Sequence, residues 1–453
     1  MTPRQGRRMV KCLDVDIVCE KNTEAIDRKV TKTIFDRGMK NTRRCKIVKI
    51  EDCGEGEVCS IKTSTGNYIN QGYASRNCFA FFQKSMGLSK ELYGAEEVNA
   101  VNVDKVKRLY MKPKGQFASY IEQRKVLQWG GMSDPFDEFE RRKGVTLELL
   151  KFFQTIRYPI CFSTKGAWWT EDERYMEIFE DCKDHFNMKF SIITRDDNHA
   201  KLIERGCPSS TERLKAMERL AKRGVEVTLR LRPYIIGTSD KTAVQLIKDA
   251  ANAGAVAVST ELMCLERRSK GQKVRNSLMS KILGYDIEKF YIANSKSTYM
   301  RLNRNVKRPL MEEAKQAADE AGLRFYVSDA HFKELCHNGS CCGLSERWNY
   351  SRGQFTEALM LAKKNGKVHW SEISEGCNFL KTFQFNQAEG FNTNSAEKRA
   401  KFHSMTMYDY VHWNWNNPNG PSSPYKYFGG IMSPCGKDEN GDVIYEYIKE
   451  LSI

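Results

Sequence analysis

The chain has 453 residues, and its 73 lysines and arginines against 57 aspartates and glutamates give a formal charge of +16. That length and a hydrophobic content of 40% fit a soluble globular protein of two or three domains. No run of 18 apolar residues exists, and the basic N-terminus lacks the apolar stretch and cleavage site of a signal peptide, so a cytoplasmic protein without membrane contact is expected. Fifteen cysteines in such a chain point to reduced thiols, some holding metal, rather than to a disulfide framework. The positive charge is dispersed along the chain, which fits either nucleic acid or another polyanion as partner, or a solvated surface.

Residues 1–38 contain one helical pattern, TEAIDRKVTKTIF, and are otherwise unassigned. Residues 43–77 read as short β-runs (CKIVKI, GEGEVCSIKTS, NYI) punctuated by Gly54, Gly56, Gly66 and Gly72. From about Gln128 to Leu262 apolar runs alternate with amphipathic helices, the pattern of a parallel α/β sheet. Five strands are expected, ending at Gly131, Thr164, Thr194, Pro233 and Leu262. One intervening helix, STERLKAMERLAKRG, carries a hydroxyl cap, apolar residues at helical spacing and Gly224 just past its end. Repeated strand–helix units of this kind build a (β/α) barrel or part of one, whose working residues lie where strands end: Gly130, Gly131, Ser163, Lys165, Thr194 and Arg232. From Cys336 to the end the chain is rich in cysteine, aromatics and turn residues, and no regular architecture is assigned.

The segments KGQFASYIEQRKVLQWGGMSDPFDEFERRKGVTLELLKFF, YPICFSTKGAWW and FSIITRDDNHAKLIERGCPSSTERLKAMERLAKRGVEVTLRLRPYIIGTSD resemble the radical SAM proteins related to spore photoproduct lyase. The resemblance spans roughly 78–345. It implies a partial TIM-like radical SAM barrel over 78–335, and a 4Fe-4S cluster on a C-x3-C-x2-C loop that cleaves S-adenosylmethionine to a 5′-deoxyadenosyl radical. It also implies a nucleic-acid substrate, with repair of a DNA photoproduct as one case. The chain departs from the family in two ways: no C-x3-C-x2-C occurs, and no cysteine lies between Cys78 and Cys161, where the lyase carries its hydrogen donor. Cys78, followed by Phe79 and Ala80, matches the end of the cluster loop and is the expected third cluster ligand.

Upstream, VKIEDCGEGEVCSIKTSTGNYINQGYASRN followed by Cys78 resembles the C-terminal splicing blocks of an intein. That resemblance implies that Asn77 cyclises and that Cys78 is the splicing nucleophile. Residues 39–77 are therefore expected to be a C-terminal intein segment, with Arg76 where a histidine is usual. A separate chain carrying the N-terminal intein part and C-x3-C-x-aromatic would complete the cluster loop. The rival reading is a nucleic-acid-binding protein derived from such a barrel, without a cluster.

The resemblance makes Gly130 and Gly131 the backbone approach for the S-adenosylmethionine amine, and Ser163 and Lys165 further cofactor contacts. Glu204, Arg213 and Arg232 stand where relatives carry matching residues; Glu204 and Arg213 suit the cofactor or each other. Cys336, Cys341 and Cys342 form a dense group that could hold a second metal, with Cys377, His331 or His337 as fourth ligand, although the spacing fits no standard zinc pattern. The run from Tyr408 to Phe428 could stack on bases or pack as an ordinary C-terminal segment.

Overall fold

The structure, a computed structural model, describes residues 10–18, 46–56, 101–114, 118–131, 134–204, 206–265, 270–293, 300–340, 343–350, 355–377 and 407–449. Two compact units divide the chain, Met1–Asn70 and Gln71–Ile453. In the first, strands β1 (Val10–Val18) and β2 (Lys46–Gly56) pair antiparallel, from Val10 opposite Gly56 to Val18 opposite Lys46, with two register shifts. The β character expected from residue 43 onward thus holds for β2. Strand β1 falls in a region where the sequence offered only a helix, and that helix, TEAIDRKVTKTIF, lies outside the described residues. So do Asn77 and Cys78, and the strand pair by itself carries no splicing geometry.

The second unit is built on six parallel strands in unbroken chain order: β3 (Leu127–Trp129), β4 (Ile160–Thr164), β5 (Phe186–Ser191), β6 (Glu226–Tyr234), β7 (Ala255–Leu262) and β8 (Arg324–Val327). Between them run helices α1 (Val145–Ile156), α2 (Glu173–Asp181), α3 (Ser210–Lys222), α4 (Ala243–Asn252) and α5 (Arg304–Glu320). Sequential parallel strands with helical crossovers make this an α/β fold, a partial (β/α) barrel. Local chemistry sets the boundaries. Helix α3 opens on a capping box in which Ser209 Oγ accepts the Glu212 N–H while the Glu212 carboxylate accepts the Ser209 N–H. All five expected strands are present. β5 stops at Ser191, three residues earlier than expected, and β8 after α5 adds a sixth.

Side chains alternate across this sheet. Phe162, Met188, Phe190, Leu229, Leu231 and Val258 are fully buried within the main hydrophobic core, where the Phe162 ring lies 5.3 Å from Phe179 of α2. Residues of opposite parity are mostly polar: Gln128, Ser163, Asn187, Lys189, Ser191, Thr228, Arg230 and Ser259. Parallel strands covered on both faces normally read as continuous apolar runs, so a polar second face marks a lumen. At the strands' N-terminal end a segment after β8 forms a floor. Leu344 and Trp348 pack on Cys161, Tyr326 Oη donates to the Leu344 carbonyl at 3.0 Å, and Val126 N–H donates to the Asn349 carbonyl at 3.0 Å.

The C-terminal residues have a regular architecture that the sequence did not disclose. Helices α6 (Phe355–Asn365) and α7 (Met407–Trp415) accompany a three-stranded sheet in the order β10 (Met432–Lys437), β11 (Val443–Tyr447), β9 (Lys367–Val368). Trp415, Phe428 and Tyr445 are fully buried in its core, so these rings serve packing rather than base stacking. Among the described residues no helix is long and apolar enough to cross a membrane.

Candidate functional site

The C-terminal ends of β3, β4 and β5 bring most of the expected site residues together. Chain direction reverses after β3 at Gly130, whose φ is +92°. A Cβ there would lie 2.0 Å from the Ser163 carbonyl oxygen, so glycine is what lets β3 close on β4. Gly131 differs: among the described residues the nearest atom to its hypothetical Cβ is Gln128 Cγ at 4.0 Å. The first glycine is thus required by packing, while the second has no close neighbour among the described residues.

Asp134 then fastens this turn to the end of β4. Its carboxylate accepts the Thr164 hydroxyl at 2.7 Å, the Lys165 N–H at 2.7 Å and the Phe136 N–H at 3.0 Å. Burial pushes its carboxyl above the ordinary range, and the three donors work against that rise. Lys165 is thereby held at the backbone. Its ammonium, 18% exposed, lies 2.6 Å from Glu204 Oε1. Arg213 Nη1 lies 2.7 Å from the other oxygen of Glu204 and also donates to the Ser191 carbonyl at 2.6 Å. Burial alone would raise the Glu204 carboxyl, but the charges of Arg213 and Lys165 outweigh it and hold the group below its usual value. Cys207 sits beside this cluster with its thiol pushed up by burial and by Glu204.

Glu204 and Arg213 therefore partner each other, one of the two alternatives left open by the sequence. Arg213 has no exposed surface, which removes it from direct contact with a ligand. Arg232, on the lumen face of β6, has its guanidinium on Glu261, with Nε 2.8 Å from Oε2. Ser163 Oγ accepts from Gln128 Nε2 at 3.2 Å, and Gln128 Oε1 accepts from Lys189 Nζ at 2.5 Å. Arg230 Nη1 donates to Ser191 Oγ at 3.0 Å. Asp134, Gln128, Lys189, Ser191 and Arg230 were not singled out in the sequence. The alternations Lys189-Phe190-Ser191 and Thr228-Leu229-Arg230-Leu231-Arg232 were the available signal, since polar residues at every second position of a buried strand must face something polar.

Of the three cysteines of the expected second metal group only Cys336 lies within the described residues. Cys336 is buried with its thiol on the Val327 backbone, and burial pushes the thiol up. Cys341 and Cys342 lie outside the described residues, and among the described residues no three His, Cys, Asp or Glu side chains are grouped to hold a metal ion.

Comparison with known proteins places these features in context. Solved structures of spore photoproduct lyase are similar to this chain. One, complexed with dinucleoside spore photoproduct, is 16% identical with a TM-score of 0.39, covering 53% of this chain and 70% of that one. A mutant with bound AdoMet and dinucleoside spore photoproduct is 17% identical with a TM-score of 0.38, covering 50% and 66%. Another mutant is 16% identical with a TM-score of 0.37, again covering 50% and 66%. The chain thus spans just under two thirds of the length of these two mutants. No family model matches the chain, and no curated protein matches it in sequence.

Proposed function

We propose that this chain is a radical SAM enzyme that reductively cleaves S-adenosylmethionine and acts on nucleic acid, with photoproduct repair in DNA as the specific case. The observation that carries the reading is Lys165. It is an ammonium at the end of a central parallel strand, clamped by a buried carboxylate that a second buried cation shares. Arg213, Glu204 and the Asp134 carboxylate are buried, so the Lys165 ammonium, the member of this cluster with exposed surface, is the group a ligand carboxylate would meet. The sequence resemblance supplies the ligand: S-adenosylmethionine carries an α-carboxylate and an α-amine.

The residues present fit that group. Lys165 would hold its carboxylate, and Gly131, having no side chain, would let its amine approach the backbone. Ser163 Oγ, oriented by Gln128, would offer a further hydrogen bond. Glu204 and Arg213 act as positioning residues that fix the Lys165 ammonium, and Asp134 fixes its backbone. Arg232 on β6, tied to Glu261, would be a further cofactor contact. The 4Fe-4S cluster, when bound, supplies the electron for cleavage of the sulfonium. Cys78 would be its third ligand, and the first two would come from the separate chain joined by splicing at Asn77 and Cys78. Excess positive charge across the chain favours a polyanionic substrate.

Equilibrium dialysis of labelled S-adenosylmethionine tests the cofactor site. Wild-type chain joined to the partner that completes the cluster loop and reconstituted with iron should bind it, and Lys165→Met in the same assembly should weaken binding roughly ten-fold or more, as expected for a hydrogen bond between charged groups. Equal binding by the two proteins, or none by the wild type, refutes the assignment. Intact mass after mixing with an intein-bearing partner tests the splicing step by loss of the residues before Cys78.

A further inference from the structure

Positive charge is not shared evenly among the elements of the second unit. From Gly131 to Thr260 the body of the barrel carries 21 lysines and arginines against 20 aspartates and glutamates. The crossover that follows β7, from Met263 to Asn303, carries nine against three, so its 41 residues hold six of the sixteen excess charges. A local excess of this kind is the footprint of a polyanion rather than of a solvated surface in general.

Two helices, Lys270–Leu283 and Ile287–Ala293, form the crossover's regular part. They follow the C-terminal end of β7, the end of the sheet at which Lys165 stands. Tyr291 Oη donates to the Met263 carbonyl at 2.6 Å and Tyr285 Oη to the Ile236 carbonyl at 3.0 Å, which fixes the pair on the ends of β7 and β6. Ile287 and Tyr291 are buried beneath it, and Asn276 Nδ2 donates to Glu288 Oε1 at 2.9 Å, joining one helix to the other. The first helix also lies beside helix Asp197–Ile203, whose next residue is Glu204 of the Lys165 clamp. The pair is thus a rigid element bordering the candidate site.

Its outer face is basic. Lys273, Ser277 and Lys281 are exposed at four-residue steps, with the two ammonium-bearing positions about 12 Å apart along the axis. Lys289 on the second helix is 86% exposed, and its Nζ is 3.9 Å from Asp286. The neighbouring cations at the start of α5 are employed differently: Lys307 is held by Asp329, and Arg308 by Glu312 and Glu334. Ile292 is the one large apolar side chain exposed on the two helices among the described residues. That is too little to seat on a membrane, which takes a whole apolar helix face. A phosphate backbone asks only for spaced cations, and a duplex offers a charge every 1.7 Å or so of its axis, twice the density of one strand.

Resting on the nucleic-acid reading above, we infer that the outer face of these two helices is a docking surface for the phosphate backbone of a DNA duplex. Lys273, Lys281 and Lys289 meet phosphates and hold the duplex beside the Lys165 end of the barrel. Such contacts set its position and orientation without reading its sequence.

Fluorescence anisotropy of a labelled DNA duplex of about two helical turns, titrated with the full chain at several salt concentrations, tests this. Replacing the three lysines together, Lys273→Gln, Lys281→Gln and Lys289→Gln, should weaken binding about ten-fold or more. It should also lower the salt slope by about 2–3, since each duplex phosphate contact contributes about 0.9. A second triple variant, Lys151→Gln, Lys183→Gln and Lys248→Gln, removes the same charge from exposed positions elsewhere on the barrel and should leave the slope unchanged. Equal affinity and slope for the two variants overturns the docking surface and leaves the nucleic-acid reading standing. No binding by wild type overturns both. Loss of binding to phosphatidylserine vesicles in the first variant, with duplex binding intact, assigns the face to a membrane and overturns the docking surface as well.

Discussion

Replacing Glu204 by glutamine probes the clamp behind Lys165 directly. Glu204 is 2% exposed and Arg213 has no exposed surface, while both oxygens of Glu204 are engaged by cations. Glutamine keeps the shape and removes the charge, leaving Arg213 uncompensated in the interior. Breaking a buried pair from one side costs about 3–5 kcal/mol. For the unit Gln71–Ile453 that corresponds to a fall in melting temperature of roughly 5 °C. Removing both charges, in Glu204→Gln with Arg213→Met, should recover most of the loss, because the expense lies in the orphaned charge rather than in the absent attraction. The pH dependence has a definite sign. The folded-state pKa of Glu204 is depressed, so the clamp's contribution is fully present above the ordinary carboxylate value of about 4.3 and is lost as pH falls through the lower folded value. Thermal unfolding followed by circular dichroism between pH 3 and pH 7 reads all three effects. A melting temperature within about 2 °C of wild type at pH 7, for a single substitution at this site, would refute the reasoning.

The two adjacent glycines should separate cleanly. Gly130→Ala forces a Cβ toward the Ser163 carbonyl at a positive φ and should destabilise by about 2–4 kcal/mol in a chemical unfolding titration. Gly131→Ala should leave unfolding within about 0.5 kcal/mol of wild type and show its effect in S-adenosylmethionine dialysis instead. Thiol reactivity offers another check. Cys336 and Cys182 are buried, the latter with its thiol pushed up to about 11, so iodoacetamide at pH 8 should spare both in the native chain and label both after denaturation.

The strands of the barrel were legible because their outer face is made of strong β-formers at every second position, as in Phe186, Met188 and Phe190. Strand β8 escaped notice: Arg324–Val327 is four residues long and follows a helix that carries Pro309 inside it. The C-terminal sheet was hidden for a related reason, since β10 contains Pro434 and Gly436 and β9 has two residues, too few to show a period. At the candidate site, Lys165 and Gly130 could be singled out from their place at strand ends. Asp134 could not, because its role depends on meeting Thr164 and Lys165 across about thirty residues, and no local pattern announces such a contact. Cys336 lies with its thiol on the Val327 backbone, a contact that cysteine spacing could not announce.

The floor under the sheet also bears on how the chain is made. Asn349 reaches Lys125 and the Gln123 carbonyl across more than two hundred residues, so the loop beneath the sheet ties the first strand of the barrel to the segment that follows the last. A chain emerging from the ribosome at about 5–20 residues per second would expose the N-terminal strand ends for tens of seconds before that tie is synthesised. The helices can form early, but the underside of the sheet must wait. During synthesis the nascent barrel therefore presents an unsealed base, the surface on which a chaperone would be expected to act.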